Sequence, residues 1–424
     1  MNNNSIRLIN KLIRKSVNFL YLICFWLLWV FIRLLTIIFQ VFKIDSLTQM
    51  RLKGMHSVIF LEPIFPNNAG YYYRCQLWAE KLRNKGFKVK ITFVFDEQLH
   101  GELHSGKISQ PFYHFLFLIR QFFRCLKAFN YNLIIVRREL LLFNDYGNLF
   151  LEKFLLSINK NVVLDFDDDI SAAKNEPRKI SFYGKLMLEH PTKFQSSLRL
   201  YKYFIVGSDY LKQLVNQYSP ASNPKKINVI PTCVNYEMFP LKEYSTTKEY
   251  IDFGWIGNSW NFFYLDELLD ALNLLSLQYK IRLIIISDLV FSRKVNFEII
   301  NYSWSLDRDI ELLQKIDVGL MPLNDSAVSK GKCGFKLIQY MGSGLVSISS
   351  AVTITNEIVD NNENGFLVFN KNDWQKILFN VVEQRIHFSD IGKKAHEKIL
   401  RHYSFNANEN KYIDFLMAII NKQL

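Results

Sequence analysis

Cysteine is scarce in this 424-residue chain, and what there is does not pair up. The five cysteines (24, 75, 125, 233 and 333) are odd in number and scattered, and they form no C-x-x-C. That argues against a disulfide framework or a structural zinc site and suits a reducing compartment. No protein-held metal is expected. Acidic residues are also short, 39 against 52 Lys and Arg, for a net charge of +13. Such an excess fits nucleic acid, an anionic membrane or an anionic substrate. A disordered chain is excluded by 49% hydrophobic and 15% aromatic residues. No G-x-G-x-x-G follows the first strand of either half, which disfavours a dinucleotide oxidoreductase.

The charge is unevenly placed. Residues 1–53 hold eight Lys and Arg (7, 11, 14, 15, 33, 43, 51, 53) against one acid, Asp45, for +7. The most apolar segment, "VNFLYLICFWLLWVFIRLLTIIFQVF" (17–42), lies inside that stretch. It is long enough to cross a bilayer and too long, with no small-residue cleavage site, for a signal peptide. A basic flank on an apolar helix points to an anionic membrane more than to nucleic acid. Residues 1–48 are therefore read as a membrane anchor, either spanning or lying in the interface. A second basic and aromatic helix, "FYHFLFLIRQFFRCLKAF" (112–129), places Arg120, Arg124 and Lys127 on one face. That face is either a solvated stripe over a core helix or a second lipid contact.

The rest alternates strands and helices, which predicts parallel sheets. "HSVIFLEP", "FKVKITFVF", "YNLIIVRR", "KNVVLDFDDD", "YFIV" and "INVIP" read as strands of one half, residues 55–240. "IDFGWIGNS", "IRLIIISD", "DVGLMPL" and "GLVSISS" do so for a second, residues 250–400, after a polar linker at 241–250. Residues 401–424 read as a helix returning to the first half. Two Rossmann-like domains of this kind leave a cleft at the carboxyl ends of their strands.

Two motifs carry candidate chemistry. In "GKCGFKLIQYMGSG" (331–344), Gly334 opens a short helix, with Lys332 and Lys336 on its approach. Either this is ordinary glycine punctuation, or backbone N–H groups and two cations make an anion site. In "LDFDDD" (164–169), four carboxylates follow a strand. Their repulsion is costly without a task. Either the loop is solvated, or Asp165, Asp167 or Asp168 faces the cleft and binds sugar hydroxyls; a metal site is a minor alternative. His190 reads as structural, and Trp304 as packing or base stacking.

The segments "DVGLMPLNDS", "GKCGFKLIQYMGSGLVSIS" and "NEIVDNNENGFLV" together resemble the donor-binding domain of glycosyltransferase family 4. "FIVGSDYLKQLV", "VIPTCVNYEMFP", "FGWIGNSWNFFYLDELLDAL" and "LDFDDDI" are similar to segments of the same group, and the resemblance covers about residues 55–405. It implies a retaining enzyme of the two-domain B-type fold. That enzyme would be membrane-associated, with its catalytic domains in the cytoplasm, and would serve bacterial polysaccharide biosynthesis. The donor would be a UDP- or GDP-linked sugar and the acceptor a glycan or lipid-linked glycan, with no cofactor and no nucleic-acid partner. It further implies that Gly334, Phe335 and Lys336 hold the diphosphate. Gln339 would take the ribose position, Gly257 and Asn258 would lie beside the phosphates, and Trp304 near the base and sugar. Lys332 and Lys336 would neutralise the phosphates. Gly70 and Arg74 would lie in the acceptor loop, and Asp165, Asp167, Asp168 and Lys336 would be catalytic.

The pattern is incomplete. Gly331 stands where many relatives carry a first glutamate, Val346 replaces a proline, and Thr353 a glycine. These departures leave a second reading: a weak or inactive relative that binds a glycan or a partner protein at the membrane.

Overall fold

The computed structural model describes residues 3–63, 68–95, 97–105, 107–141, 148–171, 192–219, 224–245 and 248–423. Six apolar segments form the first sheet: β1 (Ser57–Glu62), β2 (Lys88–Phe93), β3 (Leu133–Arg137), β4 (Val162–Phe166), β5 (Tyr203–Val206) and β6 (Ile227–Val229). They pair in parallel in the order β2-β1-β3-β4-β5-β6. Strands β1, β3, β4 and β5 are buried throughout, as strands covered by helices on both faces must be.

A second parallel sheet holds β7 (Ile251–Ile256), β8 (Ile281–Ser287), β9 (Glu298–Ser303), β10 (Val318–Met321), β11 (Val346–Ser350) and β12 (Phe366–Val368). Its order is β12-β11-β10-β7-β8-β9. The two Rossmann-like sheets expected from the sequence are thus present. In each the strand order reverses once, beside β1 in the first and beside β7 in the second. Loops leaving the carboxyl ends at such reversals splay apart and open a crevice.

Away from the crevice, a backbone bridge and a returning helix tie the domains together. Val234 and Ser404 form a bridge, with Val234 N–H donating to Tyr403 O at 2.9 Å and Phe405 N–H to Val234 O at 3.1 Å. Beyond it, the last helix, Phe405–Ile420, packs on the first domain. Its Tyr412 ring stacks on Trp78 at 4.0 Å.

At the other end, Asn3–Val41 is one helix, and its stretch Lys15–Val41 is long and apolar enough to cross a membrane. It packs on the helices Gln110–Leu126 and Phe150–Ile158 of the first domain. This corrects the lipid-facing reading of the 112–129 segment. Arg124 is buried, donating to Glu62 O at 2.9 Å, Thr92 O at 2.6 Å and Gln121 Oε1 at 2.7 Å. Arg120 donates to Val94 O at 3.0 Å. The two arginines turn inward to cap strand-end carbonyls while Lys127 stays exposed, and rings of the aromatic face meet the N-terminal helix.

Candidate functional site

The crevice between the sheets holds a cavity of about 660 Å³, in the range of small-molecule sites. The loop after β7 supplies Ile256, Gly257 and Asn258, and the end of β10 supplies Met321 and Leu323. The 332–336 segment, Gln339, Trp304 and Asp288 complete that wall; Asn68, Ala69 and Asp168 come from the first domain.

The wall of the second domain is shaped by missing side chains. Gly334 has φ +69°, and a Cβ there would lie 2.5 Å from Ile358 Cδ1. Glycine alone takes that backbone easily, and it starts the helix Phe335–Gly342 facing the cavity. At Gly257 a Cβ would lie 2.5 Å from Lys336 Nζ. The missing side chain lets the ammonium lie 3.9 Å from the Trp255 ring centroid. Among the described residues no carboxylate pairs with Lys336. Burial lowers its pKa well below the usual 10.5, and the neighbouring Lys332 lowers it further. Lys332 bonds Asn261 Oδ1 at 3.1 Å and lies 4.6 Å over the Tyr264 ring. The positive end of this helix and two lysines thus converge on one end of the cavity, which favours a bound anion. Gln339 donates to the buried Asp309 at 3.2 Å. Burial raises Asp309 to about 6. Phe335 packs against Tyr73 of the first domain at 4.6 Å.

The acidic strand end behaves differently, and two expectations need correction. Arg74 and Asp165 do not face the cavity. They form an ion pair with each other in the interior, each about 1% exposed, and Arg74 also donates to Ile230 O at 2.6 Å. Nor does Gly70 present itself to a ligand: a Cβ there would lie 2.8 Å from Arg137 Nη2, so its role is to admit that arginine.

Asp167 is buried and pairs with Arg137 at 3.2 Å and Arg138 at 3.3 Å. Burial would raise its pKa, but the two arginines hold it far below the usual carboxylate range. Of the cluster, only Asp168 lines the cavity. It bonds Arg138 at 3.0 Å and accepts from the Cys333 N–H of the second domain at 3.0 Å. Its pKa is raised by burial and by Asp167. The repulsion among these acids is answered by Arg74, Arg137 and Arg138. Sequence reasoning missed the last two, although "VRR" at the end of an apolar strand signalled them.

A last cross-domain contact explains the departure at Gly331. Asp169 N–H donates to Gly331 O at 2.8 Å, and a Cβ on Gly331 would lie 2.4 Å from the Asp169 Cβ. Any side chain there would push the acidic strand end off the 331–334 loop.

Asp167, Asp168 and Cys333 are the one group among the described residues with ligand atoms within 4.8 Å of one another. Arginines already compensate both carboxylates, and burial holds the Cys333 thiol well above its usual pKa, so the set suits a divalent ion poorly. His190 lies outside the described residues.

The comparisons agree with this architecture. The family model described as "Glycosyl transferases group 1" matches residues 251–384, which makes the second domain a glycosyltransferase domain. No curated protein matches the sequence. Among solved structures, a glycosyltransferase from Rickettsia africae is 17% identical with a TM-score of 0.59, covering 87% of this chain and 99% of its own. Sucrose-phosphate synthase from Thermosynechococcus elongatus is 12% identical with a TM-score of 0.62, over 87% of this chain and 100% of its own. HepE from Anabaena, solved with UDP and glucose, is 12% identical with a TM-score of 0.61, over 86% and 100%. These likenesses identify the fold as the two-domain glycosyltransferase B-type.

Proposed function

We propose that the protein moves a sugar, with retention, from a UDP- or GDP-linked donor to a glycan or lipid-linked glycan acceptor bound in the interdomain crevice. The observation that carries this reading is Lys336, a half-buried ammonium with no carboxylate partner among the described residues, at the mouth of a glycine-started helix. Leaving a cation unpaired in a low-dielectric site is costly, and a diphosphate would compensate it. As the glycosidic bond breaks, negative charge grows on the diphosphate. Lys336 and Lys332 line the cavity beside the helix start, and in this reading they stabilise that developing charge.

Asp168 suits an orienting role. Both of its oxygens are engaged, by Arg138 and by Cys333 N–H, which blunts it as a nucleophile. Each oxygen keeps a lone pair for a hydroxyl of the donor sugar or the acceptor. Donor and acceptor held this way react by positioning, with the leaving diphosphate taking the acceptor proton.

Calorimetry with UDP and with GDP tests the reading. Saturable binding that weakens in Lys336→Ala is expected. Absence of binding by either nucleotide would leave the glycan- or partner-binding alternative.

A further inference from the structure

The N-terminal helix has two faces with different fates. Its inner face is held by protein: Phe25 and Ile32 are buried, and Trp29, Leu35 and Phe39 pack on the first domain's core. Ring contacts run along its length, Tyr21 to Phe112 at 5.0 Å, Trp29 to Phe150 at 5.9 Å and Phe39 to Phe129 at 5.9 Å. The outer face is bare. Phe19, Leu20, Ile23, Leu27, Val30 and Leu34 are 40–65% exposed, and Ile37, Ile38 and Val41 continue the row. At the helical rotation of about 100° per residue these side chains fall within an arc of roughly 100°. Arg33, exposed and 4.8 Å over the Trp29 ring, stands at the edge of that arc, where a long cationic side chain reaches headgroup level.

We infer that this helix lies in the plane of an anionic bilayer, outer face in the lipid and inner face clamped to the first domain, and does not cross. Crossing would tear the inner face from its aromatic partners or drag the domain into hydrocarbon. A lipid occupant fits the charge better than a second copy of the chain. Residues 1–53 carry +7, Lys15 and Lys43 are exposed, and the one acid, Asp45, lies 4.0 Å from Lys160 of the domain. Two such faces brought together would repel; an anionic surface would attract both ends.

The direction of the helix adds a consequence. Tyr21, Phe31 and Phe39 meet Phe112, Phe122 and Phe129 in turn, so the N-terminal helix runs parallel to Gln110–Leu126. That helix starts on the carboxyl side of the first sheet, because Arg120 already reaches Val94, just past β2. Upstream of Tyr21 the N-terminal helix therefore continues past the strand ends, for roughly 27 Å at 1.5 Å per residue. The membrane plane would then run beside the crevice, which favours an acceptor carried by a lipid. This last step rests on the crevice being the transfer site; the lipid contact does not.

Flotation of the full chain tests the contact, with phosphatidylcholine vesicles with and without phosphatidylglycerol. Binding is expected only to the anionic vesicles and is expected to fall with salt. The Leu27→Glu/Val30→Glu/Leu34→Glu variant should lose about tenfold or more in affinity. Its UDP binding and melting temperature should be unchanged. Equal binding by this variant, or a lipid-free dimer that vesicles fail to dissociate, overturns the proposal. A second measurement needs no variant. In membranes of expressing cells, an N-terminal tag should be cut by protease from the same side as the globular domains. A tag protected while the domains are cut means that the helix crosses, and overturns it too. Loss of UDP binding with intact flotation would strike the donor reading alone.

Discussion

The two walls of the crevice handle charge in opposite ways. On the second domain, Lys336 is half-buried, without a counter-charge among the described residues, and seated on Trp255. On the first, Arg74, Arg137 and Arg138 each pair with an acid of the strand end, and only Asp168 reaches the cavity. One wall holds uncompensated charge for something that arrives; the other is electrically closed and mostly scaffold. The lesson is that a run of acids beside a cleft is no sign of catalysis until its partners are known. A half-buried cation with no carboxylate partner among the described residues is the more telling feature.

The largest effect should come from opening the closed wall. Arg74→Met strands Asp165 as an uncompensated buried charge and should cost about 3–5 kcal/mol of stability by denaturant titration. UDP affinity of the folded fraction should be unchanged, and a parallel loss would erase the contrast between the walls. Next, Lys336→Ala should weaken UDP binding by about 1.5–3 kcal/mol. The unliganded protein should melt little lower than the parent, because among the described residues the removed charge has no ion pair to lose and gives up only its contact with the Trp255 ring. A clear fall in melting temperature would mean that the lysine is structural.

The pH dependence follows with its sign. The unliganded Lys336 has a lowered pKa, and a bound diphosphate would restore the charge. Between the lowered value and the ordinary 10.5, binding then takes up a proton, and affinity falls with rising pH by up to about tenfold per unit. Calorimetry in buffers of different ionisation heat reads this directly; heats independent of buffer would contradict it. A small effect on donor binding should come from Asp168→Asn, which keeps the acceptor for Cys333 N–H. UDP affinity should stay within about twofold, while turnover falls by roughly 10–100-fold. Equal losses in both would return Asp168 to the scaffold.

Much of this was legible in the sequence. Alternating strands and helices announced both sheets, and "GKCGF" announced a helix entered through glycine. The segment Glu298–Ser303 was not assigned as a strand because it is only half-buried and lacks a continuous apolar run. The arginines were misread for a different reason. Spacing places Arg120, Arg124 and Lys127 on one helix face but does not say where that face points. Arg74 finds Asp165 across 91 residues, and no local pattern reports such a partner. Gly331 read as a loss against the family pattern, whereas the structure shows a fit to Asp169 that only the folded pair reveals.

The returning helix sets the order in which the protein can be completed. Phe405, Tyr412, Phe415, Leu416 and Ile419 belong to the same core cluster as Trp78, Val58 and Leu133. During synthesis the first domain leaves the ribosome with one side of its core uncovered. It must wait roughly 180 residues, about 10–40 s, for the helix that covers it. Over that interval the N-terminal helix is already outside the ribosome, with its inner face packed on the other core cluster of the same domain.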